Sequence, residues 1–171
     1  EDISWAVARA FFIASSGRPG PVVLDLTKNA QTAMIEYQPQ TIDFIRSYNP
    51  NPQPAEGTIE KAAQMINESV KPFMLVGQGV ELADANKELL ALCEKAQIPF
   101  GTTFLGLSAA PTEHPLNMGR LGMHGNLGPN VMTNQCDLLI AVGMRFDDRV
   151  TGNLKNISRS EERRVGKECR S

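Results

Sequence analysis

The residues best suited to chemistry lie in the stretch AVGMRFDDRVTG, residues 141–152. Four charged side chains follow its opening apolar run within five positions: Arg145, Asp147, Asp148 and Arg149. Arginine guanidinium groups bind phosphates, and carboxylates at the end of a strand accept hydrogen bonds from ribose or ribityl hydroxyls. The cluster therefore predicts either the rim of a nucleotide pocket or an internal salt-bridge cluster that holds a turn, and the pattern alone leaves both open.

Two glycine-rich segments precede this cluster. In VGQGVEL, residues 76–82, a Gly-x-Gly follows a predicted strand, as in loops that approach phosphates. The third glycine of the dinucleotide-binding fingerprint would fall at Leu82, so a tight strand-to-helix turn explains the segment equally well. In LGMHGNLGPN, residues 121–130, closely spaced glycines predict backbone lying against a flat or phosphorylated ligand, or else a flexible surface loop.

The other polar residues predict no catalytic residue and no metal ligand within the chain. His124 has no cysteine, carboxylate or second histidine at metal spacing, and His114 is expected at the surface. No Ser/His/Asp or Cys/His arrangement is visible. Arg18 precedes a predicted strand in SGRPGPVVLDL, where it could reach a phosphate or could be an exposed turn residue.

The elements that must position these residues follow from the apolar pattern. A helix is predicted over about the first 15 residues and a strand in PVVLDL, residues 21–26. The proline-rich residues 39–57 predict an extended linker. Beyond it, helices are predicted over these ranges: 58–70, 82–96 and 129–135.

Strands alternate with these helices in FMLVG, IPFGTTF and DLLIAVG. That alternation predicts an α/β fold, a parallel sheet with helices on both faces. Such sheets bind ligands at the carboxyl ends of their strands. Each predicted strand ends in glycine or a polar loop, so the candidate segments should gather at one edge of the sheet.

Composition excludes several classes of function. The 171 residues carry a formal net charge of -2, which does not favour nucleic acid or an anionic membrane as a partner. No apolar run is long enough to span a bilayer, and three widely spaced cysteines build neither a disulfide framework nor a metal site. A reduced, cytoplasmic setting is therefore expected.

Taken together, SGRPGPVVLDLTKNAQ, GMHGN and CDLLIAVGMRFDDRVTG resemble the catalytic subunit of acetohydroxyacid synthase (acetolactate synthase), a thiamine-diphosphate-dependent enzyme. The resemblance covers residues 1–157 without a break, and RFDDRVTG is fairly specific within it. Glyoxylate carboligase and pyruvate oxidase are similar in fold but usually differ in that octet.

The resemblance implies a domain plan for a fragment of a longer enzyme. Residues 1–38 would end the pyrimidine-binding domain, 39–57 would be the linker, and 58–157 would be a truncated central flavin-nucleotide-binding domain. The basic tail, 158–171, has no recognised counterpart and is expected to be foreign. The catalytic glutamate and the Mg²⁺-diphosphate motif would lie outside the chain, so the fragment alone should be inactive.

The cofactor implied for this part of the enzyme is FAD, which plays no net redox part in acetolactate formation and is mainly structural. Thiamine diphosphate and Mg²⁺ would be held elsewhere. The residues implied to contact FAD are Arg18, Gly77, Gln78, Gly79, Thr103, Phe104, Leu105, Leu121, Gly122, Met123, His124, Gly143, Met144, Arg145, Asp147, Arg149 and Val150.

The implied reaction joins two pyruvates, or pyruvate and 2-oxobutyrate, with loss of CO₂ in isoleucine and valine biosynthesis. The implied partners are 2-oxo acid substrates, further copies of the subunit in a homo-oligomer and a small regulatory subunit, without nucleic acid or membrane. Two alternatives stay open: a free-standing flavin or adenine-nucleotide-binding module, and another thiamine-diphosphate enzyme such as glyoxylate carboligase.

Overall fold

A computed structural model of the chain describes residues 2–152. They divide between Ala55 and Glu56 into two compact units. That boundary falls within the proline-rich segment 39–57, and the basic tail predicted for 158–171 lies outside the described residues.

The first unit, residues 2–55, contains two helices. Helix α1 (Ile3–Ser15) confirms the predicted opening helix, and a short helix, α2 (Lys28–Thr32), follows. The strand predicted at residues 21–26 is wrong, because that segment pairs with no other strand of residues 2–152. Its apolar residues suit a strand, but a strand needs a neighbour for its N–H and C=O groups. Val23 is instead 89% exposed.

The second unit, residues 56–152, contains a four-stranded parallel sheet. The strands are β1 (Pro72–Val76), β2 (Phe100–Thr102), β3 (Asn117–Arg120) and β4 (Leu138–Val142). They lie side by side in the order β3-β2-β1-β4. The α/β fold and three of the strands were predicted; β3 was not, because NMGR lacks an apolar run and its register against β2 is shifted.

The predicted helices 58–70 and 129–135 are present with shifted ends, while two short helices and a 3-10 helix were not predicted. The helices of this unit are α3 (Thr58–Glu68), α4 (Gly79–Leu82), α5 (Asn86–Ala96), α6 (Leu127–Gln135) and α7 (Asp148–Thr151), with a 3-10 helix at Phe104–Ala109. The predicted continuous helix 82–96 is interrupted at Asp84, whose φ of 51° turns the chain, so that α5 begins at Asn86.

Helices cover both faces of the sheet, as predicted. Successive residues of β1 point to opposite faces, so Met74 and Val76 pack in one core and Phe73 and Leu75 in another. The first core includes buried residues from α4 and α5: Val80, Leu89 and Cys93. The second includes Leu121, Cys136 and, from α6, the partly buried Met132.

Candidate functional site

The candidate residues gather at the edge where the four strands end. We call the ends of β1, β2, β3 and β4, with the segments that follow them, the carboxyl edge. Every residue implied to contact FAD except Arg18 lies in one of these segments: 77–79, 103–105, 121–124 and 143–150. Arg18 belongs to the first unit, and its contact stays a prediction.

The strand order creates a switch point at this edge. From β1 the chain proceeds outward to β2 and β3, and then crosses to β4 on the other side of β1. In open parallel sheets, ligands bind outside the carboxyl ends where the direction of winding reverses. The segments after β1 and β4 are therefore the expected floor of a ligand site.

Those two segments touch backbone to backbone. The Gly77 N–H donates to the Val142 carbonyl (2.9 Å), and the Gly79 N–H donates to the Gly143 carbonyl (2.7 Å). A Cβ on Gly143, which has φ +61°, would lie 2.5 Å from the Val80 nitrogen. We call Gly77, Gly79 and Gly143 the glycine crossing. Its glycines are required by this packing, whatever the site binds.

The segment after β2 presents apolar side chains to solvent. The Thr103 N–H donates to the Val76 carbonyl (2.8 Å), which fixes the start of the segment beside β1. Phe104 and Leu105 are then 67% and 57% exposed. Two neighbouring apolar side chains exposed at this edge make the segment a candidate contact surface for a ligand.

The segment after β3 is held by its own neighbours. The Asn130 side chain accepts from the Gly122 N–H (2.9 Å) and donates to the Gly122 carbonyl (3.0 Å). Leu121 is buried in the second core, while Met123 is 72% exposed. The Met123 N–H donates to the Arg149 carbonyl (2.8 Å). The segments after β3 and β4, the two outer strands, therefore meet above the inner ones.

The charged cluster after β4 first of all organises its own turn. Arg145 Nη2 lies 2.7 Å from Asp147 Oδ2, and Asp147 Oδ1 accepts from the Arg149 N–H (3.0 Å), which caps α7. The hydrogen bond from the Arg149 N–H lowers the pKa of Asp147, and the charges of Arg145 and Arg149 act in the same direction. The Arg145 side chain remains 65% exposed and free to bind a phosphate as well.

Sequence reasoning missed residues that hold these segments. Arg120 ends β3, and its importance was hidden because β3 itself was not predicted. Asn126 and Asn130 carried no signal beyond their place in a glycine-rich segment.

The expectation that His114 lies at the surface is wrong: its side chain is only 10% exposed and packs against the Phe100 ring, 5.7 Å between centroids.

The described residues offer no metal site of their own. Within 2–152, no group of three or more histidine, cysteine or acidic residues is placed to hold a metal ion. Over the same range, no helix is long and apolar enough to cross a membrane.

The fold is a parallel α/β domain, and its switch point is the candidate ligand site. Residues 59–165 match the family described as "Thiamine pyrophosphate enzyme, central domain". The chain therefore belongs to the thiamine pyrophosphate enzyme family. The match runs past residue 157, where the sequence resemblance was expected to end.

Similar proteins agree with that assignment. The chain is 45% identical over 154 residues to the acetolactate synthase large subunit of Corynebacterium glutamicum, covering 90% of the chain and 24% of that protein. It is 37% identical over 157 residues to the acetolactate synthase large subunit of Haemophilus influenzae, covering 91% and 27%. The chain thus spans about a quarter of the length of the curated relatives it matches.

A solved structure shares the fold. A protein from Mycobacterium smegmatis, described as a thiamin diphosphate-dependent enzyme, superposes with a TM-score of 0.64 at 24% identity, covering 85% of this chain and 27% of that one. At that identity the likeness concerns the fold alone.

Proposed function

We propose that the chain is part of an acetolactate synthase large subunit and that its carboxyl edge binds FAD. One observation carries the cofactor proposal. Four separate segments, 77–79, 103–105, 121–124 and 143–150, lie at the ends of four adjacent parallel strands. Parallel sheets use this edge for ligands.

The residues at the edge suit the chemistry of FAD. Phe104, Leu105 and Met123 expose apolar surface that a flat flavin ring would remove from water. Arg145 and Arg149 are exposed cations for the diphosphate, and Asp147 is an ionised acceptor for ribityl hydroxyls. When bound, FAD would supply no net redox chemistry to acetolactate formation; these residues would hold and orient it.

The site does not depend on a ligand to satisfy its buried polar groups. Across residues 2–152, every buried side-chain nitrogen and oxygen has a hydrogen-bond partner. Binding would therefore come from exposed side chains and from the backbone, and the edge can keep its shape before the cofactor arrives.

For the whole protein we propose the reaction that the relatives' names indicate. It would condense two pyruvates, or pyruvate with 2-oxobutyrate, with loss of CO₂, on thiamine diphosphate and Mg²⁺ held outside these residues. Branched-chain amino acid biosynthesis, a homo-oligomer, a small regulatory subunit and a cytoplasmic location belong to the same proposal. The identity to acetolactate synthase large subunits over nine-tenths of the chain supports it.

Titration of the 171-residue chain with FAD tests the cofactor proposal. We expect saturable binding with quenching of flavin fluorescence, and no comparable binding of thiamine diphosphate. Lys71→Met, which removes a charge before β1 at the opposite edge of the sheet, should bind FAD as the parent does. Absence of FAD binding by a folded parent chain would reject the proposal.

The reaction is tested on the whole protein to which the chain belongs. We expect acetolactate from pyruvate, and we expect the 171 residues alone to form none. Competition between pyruvate and glyoxylate separates the proposal from glyoxylate carboligase, because only the latter would prefer glyoxylate. Tight FAD binding without any carboligation by the whole protein would favour a binding module.

A further inference from the structure

One side chain joins two of the segments at the carboxyl edge. The Arg120 guanidinium carbon lies 5.8 Å from the centroid of the Phe104 ring, in the segment after β2. Nη2 of the same guanidinium donates to the carbonyl of His124, in the segment after β3. Arg120 therefore contacts both the segment after β2 and the segment after β3.

The backbone of Arg120 is fixed at both of its polar groups. Its N–H donates to Asn126 Oδ1 (3.1 Å), and its carbonyl accepts from the Asn126 N–H (2.6 Å). Residues 121–125 thus form a closed loop between β3 and α6, and a Cβ on Gly125 would collide with the Arg120 carbonyl. The backbone from which the Arg120 side chain extends is therefore held in place by two hydrogen bonds.

The partners of this guanidinium are neutral. Among residues 2–152, no carboxylate pairs with Arg120. A planar guanidinium can lie over an aromatic face and donate in its own plane at once, which a lysine ammonium does less well. The contact with Phe104 matters because that ring is 67% exposed and has little other packing to fix it.

We propose that Arg120 is a positioning residue of the candidate FAD site. It holds the Phe104 ring against the loop that carries Met123 and His124, so that exposed apolar side chains of two segments face a flat ligand in one arrangement. Affinity rises because the loops need not be ordered on binding. This inference rests on the proposed binding of FAD at the carboxyl edge.

The test compares Arg120→Met, Arg120→Lys and the control Lys71→Met in the 171-residue chain, with FAD and with ADP as ligands. ADP carries phosphates but no flavin ring. We expect both Arg120 variants to weaken FAD binding by about tenfold, a difference of about 1.4 kcal/mol, while the ADP affinity changes less than about twofold. Lys71→Met should leave both unchanged.

Three outcomes would overturn the proposal. If Arg120→Lys binds FAD as tightly as the parent, or if FAD and ADP weaken equally, the residue acts by its charge on the phosphates. If no variant changes FAD binding, Arg120 has no part in the site. Should Arg120→Met fail to fold, Arg120→Lys carries the same comparison.

Hydrogen exchange of the chain without ligand distinguishes failure of the Arg120 proposal from failure of the FAD-binding proposal. We expect the amides of Met123 and Gly125 to exchange several-fold faster in both Arg120 variants, with β1 amides unchanged. If the parent does not bind FAD but this acceleration is seen, the proposed function fails and the bridge made by Arg120 stands. Unchanged exchange at Met123 and Gly125 would overturn the bridge itself.

Discussion

The two halves of the carboxyl edge are built in different ways. After β1 and β4, the glycine crossing brings backbone against backbone, with no space for a side chain. After β2 and β3, exposed side chains define the surface: Phe104, Leu105 and Met123, with Arg120 between the segments. At the glycine crossing only backbone can face a ligand, and the charged side chains follow it at residues 145–149, whereas the second half can be tuned by substitution without disturbing the sheet.

The largest effect should follow from placing a side chain in the glycine crossing. Gly143→Ala combines a positive φ with a Cβ 2.5 Å from the Val80 nitrogen. Left-handed strain and overpacking together should lower the free energy of unfolding by on the order of 3 kcal/mol, measured by urea denaturation.

Gly128 provides the matched control for that change. It lies in α6, and a Cβ there would have nothing within 4 Å. Gly128→Ala should leave stability unchanged or raise it by up to about 1 kcal/mol. Equal losses from the two alanines would mean that the crossing is not tight, and the contrast between the halves would disappear.

The second half should respond in binding rather than in stability. Phe104→Ala removes a ring that is mostly exposed, so unfolding should change by less than about 0.5 kcal/mol. Loss of an aromatic contact with a flat ring should weaken FAD binding by about tenfold. Isothermal titration measures the affinity, and a urea series measures the stability.

Phe44→Ala is the corresponding control, because it removes a ring that is 73% exposed in the first unit. It should not change FAD affinity. A Phe104→Ala chain that loses stability but binds FAD normally would show that this half, too, is structural.

A smaller effect is expected at the opposite edge of the sheet, where Asp137 precedes β4. Its carboxylate accepts hydrogen bonds from Ser69 Oγ and from the N–H groups of Val70 (2.7 Å) and Lys71 (2.9 Å). Burial acts to raise the pKa of Asp137, but the hydrogen bonds from Ser69, Val70 and Lys71 outweigh it and lower the pKa below 3.8.

Because the folded-state pKa is the lower one, the contribution of Asp137 is complete above the unfolded-state pKa and is lost as pH falls through the folded value. Asp137→Asn should cost less than about 1 kcal/mol at pH 7, since the side chain is exposed, and the difference in stability from the parent should close as the pH falls through the folded-state pKa. Urea unfolding at a series of pH values measures the difference in the free energy of unfolding between the parent and the variant. A gap independent of pH would contradict the assignment.

The smallest effect is expected at Cys93, in the first core, where we expect no alkylation of the thiol in the folded chain. Burial, and then the nearby Glu94 carboxylate, raises the pKa of the Cys93 thiol to about 11. At pH 8 the thiol stays protonated, so iodoacetamide should leave Cys93 unmodified in the folded chain and label it after unfolding. Peptide mass mapping measures this, and rapid labelling of the folded chain would show an open core.

The apolar runs of β1, β2 and β4 were enough to predict the sheet, because buried parallel strands are continuously apolar. The gathering of the candidate segments followed from that prediction and from the rule for carboxyl ends. Strand β3 and the break at Asp84 could not be predicted, since they depend on a neighbouring strand and on a local turn. Arg120 was missed because its role needs the position of β3.

The error at residues 21–26 has a different physical origin. Val22, Val23 and Leu24 have the preferences of a strand, yet they are exposed and pair with no strand among residues 2–152. Strand preference describes how a residue fits a sheet, and it cannot supply the neighbouring strand.

The hydrogen bond from Met123 to Arg149 joins loops that leave the two outermost strands, which never pair with each other. This hydrogen bond links the two loops across the ends of the inner strands, so that neither loop can move away from the sheet without breaking it. Local unfolding at this edge should therefore be cooperative: the four strand-end segments would behave as one foldon rather than as four independent loops.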